Sequence, residues 1–180
     1  PWVGATLVAV LAVVGLWAAN TARQSLNQRV GYLLAIALTL ALIVGVVRLV
    51  FGLVSKLETP AVLLRSAAIL WVSNVITFAV WYWRIDAGGP LERARLRGPR
   101  SAAFLFPQMM PLSDELPAEM TAAWRPHFID YLFLSFNTST AFSPTDVPVL
   151  TRWAKLLTMV QATISFTTVI VLVARAINTL

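Results

Sequence analysis

The sequence predicts an all-α integral membrane protein with four transmembrane helices and a re-entrant helix and loop between the third and the fourth. Three observations predict this fold. The 180 residues are 58% hydrophobic and 12% charged, whereas soluble domains carry about 25% charged residues. Four apolar segments approach or exceed the roughly 20 residues that cross a bilayer. A shorter apolar run between the last two ends in hydroxyl-bearing residues and a proline, which is typical of a half-helix at membrane depth.

The first two apolar segments belong to an N-terminal part, residues 1–57. They cover residues 2–20 and 31–54. The first segment lacks the basic lead and the small-residue cleavage site of a signal peptide, so we expect it to stay in the membrane. The second carries one deep arginine, Arg48, which lies near enough to the helix end to reach the lipid headgroups. A voltage sensor needs a row of such arginines, so this pair of helices does not make one.

The remaining residues, 58–180, form a second part with four pieces. An outer helix, a long polar connection, a re-entrant stretch and an inner helix cover residues 61–83, 84–127, 128–149 and 150–180. Three aromatic residues close the outer helix, and we expect them at the membrane–water interface: Trp81, Tyr82 and Trp83. The long connection is rich in Pro, Gly and Arg, and we expect its basic run, residues 92–100, to face water or lipid headgroups.

The re-entrant stretch begins with an apolar helix and ends in extended chain. Residues 128–137 would form about two and a half helical turns, which is about half the thickness of the hydrocarbon core. The hydroxyl side chains after Asn137 favour a helix end. Pro144 forbids further helix and favours an extended residue before it. We therefore expect the chain to enter by a helix and to leave by an extended segment at Asp146.

The order of outer helix, half-helix, extended segment, aspartate and inner helix resembles the pore module of the tetrameric potassium channel superfamily. The resemblance covers roughly the last two-thirds of the chain. The Thr-x-Thr that leads into the filter of that family falls on residues 138–140, and the aspartate that closes the filter falls on Asp146. The resemblance implies a pore helix followed by a filter-like loop, made of Thr138, Ser139, Thr140, Ala141, Phe142, Ser143, Pro144, Thr145 and Asp146.

The centre of this loop departs from the family, because it has no glycine. Where the family has Val-Gly-Tyr-Gly, this chain has Phe142, Ser143, Pro144 and Thr145. Glycines let successive carbonyls point at one axis, and serine, threonine and proline make such backbone conformations costly. A carbonyl cage for dehydrated potassium is therefore not expected. Four copies of Phe142 could form a hydrophobic constriction, and rings of hydroxyls could coordinate a partly hydrated ion.

The inner helix carries a polar stripe at spacings of 3, 4 and 3 residues. The stripe consists of Thr158, Gln161, Ser165 and Thr168. These spacings place the four side chains on one helical face. In a bilayer, such a face must meet other helices or water. Alone, the stripe predicts either the lining of a pore or a tightly packed helix interface; with the re-entrant loop beside it, we expect these four residues to line a pore.

Together these features favour a channel-like membrane protein, a cation pore built from four copies of the chain. Its expected partners are the lipid bilayer, three further copies and monovalent cations, and its expected place is a bacterial cytoplasmic membrane. The alternative is a non-conducting structural or regulatory membrane protein that retains the channel architecture. A small-solute transporter with a helix broken near Pro144 is a weaker option, because no matching second half is present.

Other classes of function find little support in the sequence. The absence of Cys excludes disulfides and thiol chemistry. The net charge of +6 fits Lys and Arg at lipid headgroups, and no nucleic-acid partner is expected. We expect no cofactor, no metal site and no enzymatic activity, since no nucleophile has a visible base beside it. The resemblance places the long connection outside the cell, although its arginines favour the cytoplasmic side; we follow the resemblance.

Overall fold

The computed structural model describes residues 24–55, 59–90, 93, 102–110, 124–144 and 146–177. Within these ranges the protein is all-helical, with four helices: α1 (Gln24–Ser55), α2 (Pro60–Ile85), α3 (Phe128–Ala141) and α4 (Arg152–Ile177). Short 3-10 turns occupy Asp86–Gly88 and Pro107–Met109. A single antiparallel bridge pairs Phe104 with Val149. The first predicted crossing, residues 2–20, and Thr145 of the filter-like loop lie outside the described residues.

Three segments of the described chain are long and apolar enough to cross a membrane. They are Arg29–Ser55, Ala61–Gly88 and Arg152–Ala174. Large apolar side chains on them remain exposed, including Phe51 (69%) and Met159 (65%). Apolar surface of this extent is stable in lipid or against other apolar helices rather than in water. The prediction of a helical membrane protein is therefore confirmed, and these segments correspond to the second, third and fourth predicted crossings.

The chain divides into two compact units, and the first comprises Pro1–Thr77 and Thr163–Leu180. Its apolar core joins α1, the beginning of α2 and the end of α4 through Leu49, Leu63, Ala67 and Val171. Gly45 of α1 permits the close approach of α2. A methyl group at this position would lie 2.6 Å from a terminal carbon of Leu70, well inside van der Waals contact.

The second unit, Phe78–Ala162, contains the end of α2, the described parts of the long connection, α3 and the beginning of α4. Aromatic rings fill its core. Phe104, in the connection, packs edge-on against Tyr82 of α2, with ring centroids 5.0 Å apart. Phe106 packs in the same way against Tyr131 of α3, at 5.3 Å. The short segment that carries Phe104 and Phe106 thus fills the space beside both helices.

The helix α3 is one turn longer than predicted. The sequence places its end at Asn137, but the helix continues to Ala141. The hydroxyls of Thr138 and Thr140 donate to the carbonyls four residues earlier, at 2.8 and 3.0 Å. The hydroxyls are therefore satisfied within the helix and do not end it. The helix stops instead at Phe142, whose φ of 55° is left-handed.

The two faces of α3 are inverted relative to a helix on a soluble protein. Its buried face carries four hydroxyl-bearing side chains and one leucine: Tyr131, Leu134, Ser135, Thr138 and Ser139. Its outward face is an apolar stripe of Ile129, Phe133 and Phe136, which are 65%, 58% and 45% exposed. A helix in water places its polar side chains outward. The outward stripe of α3 is therefore suited to lipid or to another apolar surface.

Candidate functional site

A buried amide, Gln161 of α4, joins three helices in the second unit. Its Nε2 lies 2.8 Å from the carbonyl oxygen of Ser135, 2.7 Å from the Ser135 hydroxyl and 2.8 Å from the Ser139 hydroxyl. Its Oε1 accepts a hydrogen bond from the phenol of Tyr82 on α2. Gln161, Ser135 and Ser139 are fully buried. One side chain thus connects α2, α3 and α4 at a single point, which we call the Gln161 network.

The orientation of the amide follows from the chemistry of its partners. The Ser135 carbonyl can only accept a hydrogen bond, so the nitrogen of Gln161 must face it. The oxygen of the amide is then turned toward Tyr82, whose phenol must donate. The two hydrogens of Nε2 serve three acceptors. A buried polar group without a partner is costly, and these contacts avoid that cost for the Gln161 amide.

All four residues of the predicted polar stripe on α4 are buried within the single chain. In the second unit, the Thr158 hydroxyl donates to the Lys155 carbonyl at 2.8 Å, while Gln161 forms its network. In the first unit, Ser165 and Thr168 are buried as well, and the Thr168 hydroxyl donates to its own helix. Of the two interpretations that the sequence leaves open, this burial favours helix packing for the stripe.

The filter-like loop divides into a buried beginning and an exposed centre. Thr138 and Ser139 are fully buried, and the hydroxyl of Thr138 interacts with the Tyr82 phenol. The following residues are exposed or partly exposed: Thr140, Ala141, Phe142, Ser143, Pro144 and Asp146. The two residues that lead into the loop are therefore held inside the chain, and the centre of the loop is presented on its surface.

Phe142 is held in a conformation that side chains rarely adopt. Its φ of 55° is left-handed, and among the described residues the other such non-glycine position is Ala87. The left-handed conformation costs roughly 1–2 kcal/mol for an ordinary residue. The cost is met by the surrounding structure, and strain of this kind is concentrated at functional positions. The side chain of Phe142 is 39% exposed, so burial of the ring alone does not explain why this residue adopts the left-handed conformation.

A second polar centre lies at the end of α2, where Asp86 is fully buried. Its Oδ1 accepts from the backbone N–H of Ala103 at 2.6 Å and of Phe104 at 3.4 Å. Its Oδ2 accepts from the Tyr131 phenol at 2.5 Å. Burial, and then the neighbouring Asp86 carboxylate, raise the pKa of Tyr131, so the phenol keeps its proton and is the donor. Asp86 therefore fastens both the connection and α3 to α2.

Arg93 completes this centre from the long connection. Its guanidinium donates to the carbonyls of Trp83 and Asp86, at 2.8 and 2.7 Å, and lies 3.9 Å from the Asp86 carboxylate. It also lies over the ring of Tyr131, 5.1 Å from the centroid. The carbonyls at a helix end lack partners in the helix, and a cation there is stabilising. Positive φ angles at Ala87, Gly88 and Gly89 turn the chain away from the axis of α2.

Two sequence interpretations are corrected by these contacts. Arg93 was expected in water or among headgroups, yet its side chain is 9% exposed, because it caps α2 and stacks on Tyr131. Tyr82 was expected at the membrane interface with its two neighbours, yet it is fully buried, because it bonds to Gln161. No role for Asp86 was predicted from the sequence. The available signal was its position one helical turn after Tyr82, just beyond the end of α2, where it continues the helix face that carries Tyr82.

No group of acidic or histidine side chains suited to a metal ion occurs in the part of the chain that the structure describes. The polar contacts described above are made by hydroxyls, the Gln161 amide, the Asp86 carboxylate, the Arg93 guanidinium and backbone groups. A scan against protein-family models, a search of curated proteins and a search of solved structures each found no match.

Proposed function

We propose that the protein is a channel-like membrane protein, a homotetrameric cation pore with a non-standard filter centred on residues 142–145. The observation that carries the proposal is the course of α3. Its beginning is bonded to Asp86 at the end of α2, and its end is bonded to Gln161, well inside α4. This course supports a re-entrant pore helix between the third and fourth of four transmembrane helices.

The depth of α3 can be measured along two helices. From Tyr131, bonded to Asp86 at the end of α2, to Ser139, bonded to Gln161, α3 rises about 12 Å. From its first residue, Arg152, to Gln161, α4 rises about 13 Å. The bridge of Phe104 with Val149 ties the start of α4 to the segment that binds Asp86. The two rises agree, as they should if α3 and α4 run inward side by side from the same membrane surface.

The end of α3 would then lie at membrane depth with irregular backbone around it. The last four carbonyls of a helix lack partners within that helix. At membrane depth such backbone is tolerated where protein covers it or where it lines a water-filled cavity. The residues there include the exposed hydroxyls of Thr140 and Ser143. Further copies of the chain around this loop would cover it, and the apolar outward stripe of α3 suits contact with a neighbouring subunit.

The chemistry of the exposed loop favours cations. Hydroxyls and carbonyls offer oxygen atoms to a partly hydrated monovalent cation, and the exposed Asp146 would concentrate cations near the loop. Four copies of Phe142 around an axis would form an apolar constriction that gates by dewetting. Such a pore would serve a bacterial cytoplasmic membrane, with lipid and three further copies as its partners.

A second candidate is a non-conducting structural or regulatory membrane protein with the same architecture. The Gln161 network favours it, because the network uses the hydroxyls of Ser135 and Ser139 for packing inside one chain. The polar stripe on α4 is in keeping with this role, since its four side chains are buried within the chain. The two candidates differ in whether the protein conducts ions: the pore does, and the structural or regulatory protein does not.

The deciding experiment is ion flux in liposomes that contain the purified protein. We expect flux of potassium or sodium above that of chloride, and a larger flux for Phe142→Ala, which removes the constriction. Phe51→Ala, at an exposed phenylalanine of α1, is the matched control and should leave the flux unchanged. Absence of flux for potassium, sodium, protons and chloride in both the native protein and Phe142→Ala contradicts the channel. A purely monomeric or dimeric protein by native mass spectrometry contradicts the tetramer.

A further inference from the structure

We propose that Gln161 is a positioning residue for the filter-like loop, and that it carries movements of α4 to Phe142 and Ser143. The inference deepens the proposed function and rests on it wherever conduction is the readout. The underlying contacts can be tested without conduction. Gln161 was predicted from the sequence as a pore-lining residue of the inner helix, and its partners on α2 and α3 give it this different role.

The Gln161 amide forms hydrogen bonds with the part of α3 that leads into the loop. Ser135 and Ser139 are one helical turn apart, and Gln161 bonds to both, so it clamps two successive turns. Ser139 lies three positions before Phe142, the left-handed residue that ends α3. A rotation or shift of α4 at Gln161 must therefore either pull the end of α3 with it or break these hydrogen bonds.

The other end of the network is fixed. The ring of Tyr82 packs against Phe104 and Phe78, with centroids 5.0 and 6.2 Å away, and its phenol donates to Gln161. Gln161 thus stands between a rigid aromatic contact on α2 and the end of α3. Its hydrogen bonds hold the end of α3 against this contact.

The clamp depends on hydrogen bonds and not on volume alone. Methionine has nearly the shape of glutamine but offers no N–H donor, so Gln161→Met keeps the packing and removes the bonds. The serine hydroxyls left behind can turn to carbonyls of their own helix. We therefore expect Gln161→Met to remain folded and to release the end of α3.

The test uses the absence of Cys from the chain. Ser143 is exposed, so Ser143→Cys creates a single thiol in the loop, and its rate of reaction with a maleimide reports the mobility of the loop. In proteoliposomes, Gln161→Met should change this rate by about 3- to 10-fold, as expected when the end of α3 loses the equivalent of one buried hydrogen bond. Leu156→Ala, which shortens an exposed side chain of α4, should change it less than twofold.

Two milder variants keep the test decisive if Gln161→Met does not fold. Tyr82→Phe removes the phenol hydroxyl and retains the ring, and Ser139→Ala removes one clamp contact. Each should change the labelling rate in the same direction as Gln161→Met, by a smaller factor. An unchanged rate in all variants that fold would overturn the proposal.

The ratio of potassium to sodium flux provides a second readout, which a purely structural role of Gln161 would leave unchanged. If Gln161 positions the loop, Gln161→Met should change the ratio of potassium to sodium flux, because the geometry of the loop changes. A general loss of folded protein would lower both fluxes equally and leave the ratio intact, which counts against positioning. If the native protein conducts no ion, the proposed channel fails, and the labelling rates still decide the role of Gln161.

Discussion

The phenol of Tyr131 donates a hydrogen bond of 2.5 Å to the carboxylate of Asp86, and this contact joins α3 to the end of α2. The same carboxylate accepts the backbone N–H groups of Ala103 and Phe104. Three segments that are distant in the sequence therefore depend on one buried side chain. Bonds to an ionised acceptor are stronger than neutral ones, and a buried carboxylate needs all of its donors.

We predict that Asp86→Ala lowers the free energy of unfolding by about 3 kcal/mol or more, because it leaves Tyr131 and two backbone N–H groups without their acceptor and removes the negative charge beside Arg93. Thermal or denaturant unfolding in detergent measures this loss. Asp146→Asn, at an exposed carboxylate, should change the stability by less than about 0.5 kcal/mol. Equal stabilities of the two variants would contradict a central role for Asp86.

Tyr131→Phe should cost about 1–3 kcal/mol, because it leaves one lone pair of a buried carboxylate without a donor. Combined with Asp86→Ala, it should add little, since the contact is already lost. The measurement is a double-mutant cycle of unfolding free energies. Additive effects of the two substitutions would mean that the hydrogen bond contributes nothing to stability.

The beginning of α3 depends on Asp130. Its Oδ2 accepts the backbone N–H of His127 at 2.7 Å, which satisfies one donor at the helix start. We predict that Asp130→Ala lowers the unfolding free energy by about 1 kcal/mol. Asp130→Asn retains the acceptor and loses only the charge, so it should lose less than half as much. An alanine variant as stable as the asparagine variant would exclude the capping contact.

The turn after α2 places Ala87 at φ 48°, a left-handed conformation that glycine adopts without strain. We predict that Ala87→Gly raises the unfolding free energy by up to about 1 kcal/mol and that Ala87→Val lowers it by about 1 kcal/mol or more, because a β-branched side chain tolerates this conformation least. The two unfolding temperatures should straddle that of the native protein. The opposite order would contradict the left-handed turn.

The contact of α1 with α2 makes a further prediction at Gly45. Gly45→Ala gains helix propensity of about 1 kcal/mol and meets a terminal carbon of Leu70, which can rotate away, so the net change should be within about 1 kcal/mol. Gly45→Leu cannot be accommodated in this way and should cost about 1–3 kcal/mol. Val44→Leu, at an exposed neighbour, is the control. A leucine tolerated equally at both positions would mean that the helices do not meet at Gly45.

The course of the membrane helices could be predicted from the sequence, because length and apolarity decide it. The outer helix, predicted at residues 61–83, is Pro60–Ile85, and the inner helix, predicted from residue 150, begins at Arg152. The end of α3 could not be placed as well. The hydroxyls of Thr138 and Thr140 can either end a helix or bond within it, and only the folded helix decides between them.

The polar centres were harder to foresee. Gln161 was singled out by its spacing, but a stripe on one helix cannot show whether its partner is water or another helix. Asp86 binds the backbone N–H groups of Ala103 and Phe104. Since nearly every residue has a backbone N–H, the sequence does not indicate which of them a carboxylate will bind. Arg93 contacts the end of α2 because the chain reverses direction there through residues with positive φ angles. These contacts depend on the path of the long connection, which its composition does not specify.

A thiol placed at Phe142 tests whether the loop after α3 lines a conduction path. Since the chain has no Cys, Phe142→Cys carries the only reactive thiol. The measurement is cation flux through liposomes that contain this variant, before and after reaction with a charged, membrane-impermeant thiol reagent. We predict that the flux changes severalfold on modification and that the native protein is insensitive to the reagent. A fully labelled Phe142→Cys whose flux is unchanged, or that never conducts, contradicts it.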